Sequence, residues 1–280
     1  MSVESQAVGI KKKYKNRNNK GKYIAESVAK NIFFMSALVA VVSLLLIIGF
    51  VFYKGLTPFI SKGYSFTAFL TGVDWLPSSD KFGILPMIVA SLIATVGSLI
   101  IGVPVGILTA VFIAEIAPKK VAKLMSPAVE LLAGIPSVLY GIFGLAFIVP
   151  AIQNIFNLPK GQSLLAVIIV LSIMMLPTII SVSETAIRAV PRAYKEGSLA
   201  LGASKIETIF KVVLPAAKSG ILAAVVLGIG RALGETMAVI LVAGNSPMIP
   251  SSLMDSIRPL TTNIALEMGY AFEMCIRDRP

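Results

Sequence analysis

Long apolar stretches separated by short polar ones account for most of this chain. Residues 32–53 contain no charged side chain, and further apolar stretches occupy residues 84–114, 131–149, 164–182 and 221–243. Because an α-helix rises 1.5 Å per residue, about 20 apolar residues are enough to cross the hydrocarbon core of a bilayer. The pattern therefore predicts an all-α integral membrane protein with at least five transmembrane helices.

The composition agrees with a membrane protein and excludes several kinds of chemistry. Of the 280 residues, 56% are hydrophobic and 14% charged, whereas about 25% of a soluble domain is charged. There is no histidine and a single cysteine, Cys275, which argues against disulfides, zinc sites and histidine-based catalysis. No GxxxxGK[ST] phosphate-binding loop occurs, so the chain is not its own ATPase by that route. We expect no enzyme activity, metal or cofactor in this chain.

The positions of the basic residues predict the orientation. With the N-terminus inside, the inner segments carry 17 Lys and Arg residues and the outer segments carry 5. The inner segments are residues 1–31, 115–130 and 183–220, and the outer segments are residues 54–83, 150–163 and 244–272. Since Lys and Arg concentrate in cytoplasmic loops, we expect a cytoplasmic N-terminus.

Glycine pairs at GxxxG spacing occur in two of the predicted spans. Gly102 and Gly106 form one pair, and Gly230 and Gly234 form the other. This spacing lets helix backbones approach one another closely. Each pair is a weak signal alone, and dense helix packing is the simplest explanation of both.

The inner segment 184–220 predicts two short helices joined at a glycine. Pro191 suits the first turn of a helix, and Gly202 offers a left-handed stop. Ser204 and Glu207 have the spacing of a capping box, which starts a second helix at once. We call residues 184–220 the coupling segment.

The second of these helices has one apolar face. Ile206, Ile209, Phe210 and Val213 follow the i, i+3, i+4, i+7 pattern. Such a face can lie on the membrane surface or dock into a groove of a partner protein. The spacing does not distinguish these two possibilities.

The coupling segment resembles the EAA loop of bacterial ABC-importer permeases. The family pattern is Glu-Ala-Ala, three residues, Gly, nine residues, then Ile-x-Leu-Pro. The matching residues are Glu196, Gly202, Leu214 and Pro215, while Gly197, Ser198 and Val212 are small or conservative replacements. In that family the loop forms coupling helices that insert into a cleft of a cytoplasmic ATPase. The resemblance to the type I, or MetI-like, permease core extends over about residues 80–270.

Three further stretches are similar to phosphate-transport permeases. They are FGILP at residues 82–86, GIPSV at 134–138 and GRALGETMA at 230–238. The extra N-terminal span and the FGILP stretch resemble the PstC-type subunit more than its PstA-type partner. The resemblance implies translocation of inorganic phosphate across the bacterial plasma (inner) membrane. It also implies three partners: an ATPase subunit dimer, a PstA-like permease and an extracytoplasmic phosphate-binding protein.

Arg231 and Glu235 are charged residues inside the fifth predicted span. On a continuous helix they would lie i, i+4 apart on one face. A central Arg costs about 2.5–3.5 kcal/mol on insertion scales, so such residues usually face protein or a water-filled path. The pair could brace neighbouring helices, or Arg231 could attract a passing oxyanion while Glu235 holds it in the resting state. The residues alone favour neither; the family resemblance favours the transport role.

The sequence also predicts how the chain is organised. We expect a basic cytoplasmic tail at residues 1–31, a transmembrane helix at 32–53, an extracytoplasmic segment at 54–83 and a permease core at 84–272. Residues 273–280 are charged and aperiodic, and we expect them to be a truncated or foreign tail that replaces a sixth span.

Two alternatives to phosphate import stay open at this point. One is a permease for another oxyanion, such as molybdate or sulfate. The other, from a different class, is a self-sufficient secondary transporter or channel. The resemblance to the EAA loop counts against the second, because a stand-alone carrier needs no docking helix.

Overall fold

The computed structural model describes residues 20–61, 63–79 and 81–277 and contains two compact units, residues 1–65 and 66–280. The first unit holds one long helix, α1 (Lys20–Ser61). It includes the predicted span 32–53 but extends into both flanking segments, which were predicted to be tail and loop. Ala25, Glu26, Ala29 and Lys30 favour the N-terminal extension, whereas the C-terminal extension forms although it contains Gly55 and Pro58.

The second unit begins with a short helix and a small hairpin. Helix α2 (Phe66–Thr71) precedes strands β1 (Trp75–Leu76) and β2 (Lys81–Phe82), which pair antiparallel. Gly83, in the FGILP stretch, passes so close to Gly72 that an added Cβ would lie 2.3 Å from the Gly72 carbonyl carbon. The stretch therefore needs glycine for a close approach of two backbones.

The core of this unit is formed by two long helices packed face to face. Helix α3 (Leu85–Val111) continues through a π turn (Phe112–Ile116), and α7 (Leu164–Arg188) is its main neighbour. A Cβ on Gly102 would lie 2.6 Å from the Met175 sulfur, and one on Gly106 would lie 2.7 Å from Ile179 Cγ2. Close packing is confirmed for this glycine pair. At Gly230 and Gly234 a Cβ would meet no described atom within 4 Å, so the expectation of close packing is wrong for that pair.

The third predicted span is shifted towards the C-terminus. Helix α4 (Lys119–Ala133) ends before Gly134, and a new helical stretch runs from Ser137 to Ile155. That stretch comprises α5 (Ser137–Phe143), a π turn (Gly144–Ile148) and α6 (Val149–Ile155). Residues 131–149 are not one helix because Pro136, with extended backbone (ψ 136°), starts the new helix instead of lying inside it.

The coupling segment lies between α7 and the last part of the core. It contains α8 (Arg192–Ala200), α9 (Lys205–Thr208), a π turn (Ile209–Val213) and α10 (Leu214–Ala216). The fourth predicted span, 164–182, is longer in the structure because α7 continues to Arg188. The first five residues of the coupling segment therefore belong to α7.

The fifth predicted span, 221–243, is broken. Helix α11 (Lys218–Gly234) stops before Glu235, whose backbone is extended (φ −70°, ψ 130°), and α12 (Met237–Val242) follows. Among the described residues, four helical stretches are long and apolar enough to cross a membrane. A fifth candidate is the pair Lys205–Ala216 and Lys218–Gly234, bent by 71°, if it is counted as one span.

A loop and a final helix complete the described structure. The loop after α12 turns at Gly244 and Asn245, both with positive φ, and returns so that Asp255 O accepts the backbone N–H of Leu164 at 2.8 Å. Helix α13 (Leu260–Arg277) then begins inside residues 244–272, which were predicted to be an outer segment. Residues 278–280 lie outside the described part, and the expectation that 273–280 is a foreign tail stays untested.

Candidate functional site

The coupling segment has the predicted helix–glycine–helix form. Gly202 has φ +85°, and the described atoms leave open space around it, so glycine is needed here for its backbone conformation and not for room. Pro191 directly precedes α8 as its N-cap residue, one position earlier than the predicted first turn. The Ser198 and Thr208 hydroxyls lie 2.9 Å apart and join the two helices side by side.

The start of α9 is a complete capping box. The Ser204 hydroxyl accepts from the Glu207 N–H at 3.2 Å, and the Glu207 carboxylate accepts from the Ser204 N–H at 3.1 Å. Hydrogen bonds from the Ser204 N–H and hydroxyl, followed by the nearby Lys211 ammonium, lower the pKa of Glu207 below its ordinary value. Ser204 and Glu207, whose spacing predicted the second helix, thus stabilise its first turn.

The predicted apolar face is divided between the core and the surface. Ile209 and Val213 are buried, whereas Ile206 and Phe210 are 57% and 49% exposed. Leu201, which the pattern did not single out, is 91% exposed beside the Gly202 turn. An apolar residue next to a left-handed glycine was the signal that could have identified it.

The four residues that match the EAA pattern occupy different surroundings. Glu196 is exposed on α8, and Gly202 is exposed at the turn. Leu214 is half-buried against the hydrophobic cluster that includes Ile113 and Ile209, and Pro215 is exposed in the first turn of α10. The segment therefore anchors one face to its own core and presents the other outward.

Arg231 is a half-buried residue on α11. Its Nη1 donates to Thr178 Oγ1 on α7 at 3.0 Å. Thr178 follows Pro177 inside the predicted fourth span, and a polar residue beside a proline in an apolar helix was the available signal for it.

Glu235 has a different environment and is not paired with Arg231. Its Oε1 accepts from the Ala238 N–H at 2.9 Å, so the carboxylate caps the start of α12, and its backbone carbonyl accepts from Thr261 Oγ1 at 2.9 Å. The expectation that the two charges share one helix face is wrong, because the helix ends at Gly234 and the extended backbone at Glu235 directs the chain away.

A small void adjoins Glu235. It has a volume of about 10 Å³, close to the minimum that holds one water molecule. Hydroxyl-bearing Ser91 and Thr95 on α3 and Thr261 on α13 line it together with Glu235. The structure thus places Glu235 at a small gap between helices that has both polar and apolar lining residues, with α3 forming one wall.

The helical core with its coupling segment defines a membrane component of a transport system. Residues 102–272 match the family described as "Binding-protein-dependent transport system inner membrane component", and the chain belongs to this family. The match includes the coupling segment, Arg231 and Glu235.

Relatives of this chain share most of its length. It is 45% identical over 236 residues to "Probable ABC transporter permease protein YqgH" of Bacillus subtilis (strain 168), covering 84% of this chain and 76% of the relative. It is 37% identical over 223 residues to "Phosphate transport system permease protein PstC" of Mesorhizobium japonicum, covering 73% and 68%. The protein of the same name from Pasteurella multocida is 36% identical over 232 residues, covering 76% and 72%. The chain is thus an inner-membrane permease with the predicted MetI-like fold.

Proposed function

We propose that this chain is the PstC-type permease subunit of an ATP-driven importer and translocates inorganic phosphate. The observation that carries the proposal is its similarity to relatives named as phosphate permeases over about three quarters of its length. The working complex would contain a PstA-like permease, an ATPase subunit dimer and an extracytoplasmic phosphate-binding protein. ATP hydrolysis would be supplied by the ATPase dimer.

The exposed side of the coupling segment supports the ATPase partnership. Leu201, Ile206 and Phe210 are exposed apolar residues near the Gly202 turn, and we propose that a docked ATPase covers them. The buried side of the same segment packs on the permease core. A segment built this way would transmit movement from a docked ATPase to the membrane helices. In this arrangement the N-terminus and the coupling segment face the cytoplasm, as the basic residues predict.

Arg231 is proposed to attract the oxyanion. Its observed partner, the Thr178 hydroxyl, is a neutral group, so the bond leaves the guanidinium charge available. A guanidinium carries five N–H donors in a planar fork that suits phosphate oxygens. Glu235 is proposed to stabilise the resting state through its side chain: its carboxylate accepts from the Ala238 N–H at the start of α12 and so holds the helix break beside the small void.

The test is uptake of labelled phosphate by a bacterial strain that lacks its own PstC-type subunit but keeps the partners. Expression of this chain should restore uptake, and removal of the ATPase subunit should abolish it. Excess sulfate or molybdate should leave uptake unchanged. Uptake that persists without the ATPase, or competition by sulfate or molybdate equal to that by unlabelled phosphate, would contradict the proposal.

A further inference from the structure

The end of α3 has an unusual hydrogen-bonding arrangement. In its last turn, Phe112–Ile116, the Phe112 carbonyl accepts from the Ala117 N–H at 2.7 Å, a π-type bond. The next π-type bond would join the Ile113 carbonyl to the N–H of residue 118, but that residue is Pro118, which has no N–H. Arg188, at the end of α7, takes the place of that donor: its Nη2 donates to Ile113 O at 3.2 Å.

Arg188 is itself held by a buried carboxylate. Glu184, one turn earlier on α7, is 8% exposed. Its Oε1 accepts from Arg188 Nε at 2.8 Å and from the Ser126 hydroxyl on α4 at 2.8 Å. Because a buried charge is costly unless it is paired, this network fixes the ends of α3 and α7 and the middle of α4 relative to one another.

A second contact joins the same turn of α3 to the coupling segment. The Lys195 ammonium, on α8, forms an ion pair with Glu115 in the π turn. The side chains are only 24% and 12% exposed, so water and salt screen the pair less than an ordinary surface pair. Lys195 directly precedes Glu196, the first residue of the EAA match. Through this ion pair, the helix proposed to contact the ATPase is joined to the end of α3.

Helix α3 also reaches the proposed translocation path. Ser91 and Thr95, near its start, line the void beside Glu235. The distance along the helix from Thr95 to Glu115 is about 30 Å, from 1.5 Å per residue. Helix α3 is continuous between these residues, with Pro104 inside it, so it provides a direct structural connection from the π turn to the void.

We propose that the Lys195–Glu115 pair is a positioning contact that couples movement of α8 to α3 and so to the void. This inference rests on the proposed function. Among the described residues this ion pair joins α8 directly to the end of α3, while the Arg188–Ile113 hydrogen bond and the apolar cluster around Ile113 join neighbouring parts of the chain to the same turn. Without the pair, α8 follows the ATPase while α3 lags, and ATP is hydrolysed without transport.

The test measures phosphate transported per ATP hydrolysed in vesicles that contain the complete importer. Lys195→Gln and Glu115→Gln each remove one charge, and the double variant Lys195→Glu/Glu115→Lys restores the pair with reversed polarity. Lys81→Gln is the matched control, because it breaks an exposed ion pair with Asp74 in the hairpin. Assembly of the complex is measured in parallel by copurification of the ATPase.

Each single variant should assemble and hydrolyse ATP, with the transport-to-hydrolysis ratio lowered by about fivefold or more, the lower end of energetic coupling between sites. The reversed pair should recover most of the ratio, and the control should match the parent. A parental ratio in either single variant overturns the inference. So does loss of assembly in the single variants, whether or not reversal restores it, because the pair would then be a brace. If the parent complex moves no phosphate at all, the proposed function has failed instead.

Discussion

Replacement of Gly202 tests whether the turn in the coupling segment positions the ATPase-docking surface. The residue has φ +85°, and an added side chain would meet no described atom within 4 Å. Any effect of substitution therefore comes from backbone conformation and not from a clash. Gly202→Val is the most demanding change, because β-branched residues tolerate the left-handed region least.

The expected magnitude follows from the cost of that conformation. A non-glycine residue in the left-handed region costs about 1–2 kcal/mol, which lowers the population of the ordered turn by about 5- to 30-fold relative to its alternatives. Asn visits this region routinely. Transport should therefore fall in the order Gly202, Asn, Ala, Val.

The assay compares membrane level, ATPase copurification and phosphate-stimulated ATP hydrolysis. Gly197→Ala is the matched control, since Gly197 lies inside α8 with open space around it and alanine favours a helix by about 0.5–1 kcal/mol. The Val variant should reach the membrane but lose copurification or coupled hydrolysis, while the control keeps both. Normal transport by the Val variant would refute the role of the turn.

Three further predictions concern orientation, the charged path and the hairpin. In a Cys275→Ser background, a cysteine at Ser79 should react with an impermeant thiol reagent added to intact cells, whereas one at Ser204 should not; the reversed pattern would overturn the orientation. Arg231→Gln should abolish phosphate uptake although the variant protein reaches the membrane at the normal level. Arg231→Lys should keep part of the uptake, since Lys retains the charge but not the planar fork. Full uptake by the Gln variant would show that Arg231 does not serve the path. Gly83→Ala should lower the thermal unfolding temperature in detergent, because the new Cβ would lie 2.3 Å from the Gly72 carbonyl carbon, a backbone atom that cannot easily move away. An unchanged unfolding temperature would mean that the hairpin contributes nothing to stability.

The parts of the structure that sequence predicted well are governed by local interactions. The capping box at Ser204 and Glu207 and the left-handed turn at Gly202 involve residues within a few positions of one another. Their side chains and backbones determine the conformation with little help from the rest of the fold. For that reason the sequence alone predicts the helix–glycine–helix form of the coupling segment.

The parts that sequence did not predict depend on tertiary contacts or on a residue used in an unusual way. The break at Glu235 lies in an otherwise apolar run, so the hydrophobic pattern concealed it. Thr236 is the N-cap residue of α12, but the capping hydrogen bond comes from the Glu235 carboxylate instead. The ion pair between Glu115 and Lys195 joins residues 80 positions apart, and no periodicity relates them. Arg231 likewise finds Thr178 on another helix, 53 positions away.

The separation of Arg231 from Glu235 strengthens the transport interpretation on physical grounds. A pair on one helix face would neutralise itself, and a neutral pair has little attraction for a passing anion. Instead, the Glu235 carboxylate is engaged by the Ala238 N–H, and the bonded partner of Arg231 within the described residues is a neutral hydroxyl. A cation inside a membrane protein is costly unless an anion or water accompanies it. Binding of phosphate would relieve that cost, which is the physical reason for the proposal that Arg231 serves the translocation path.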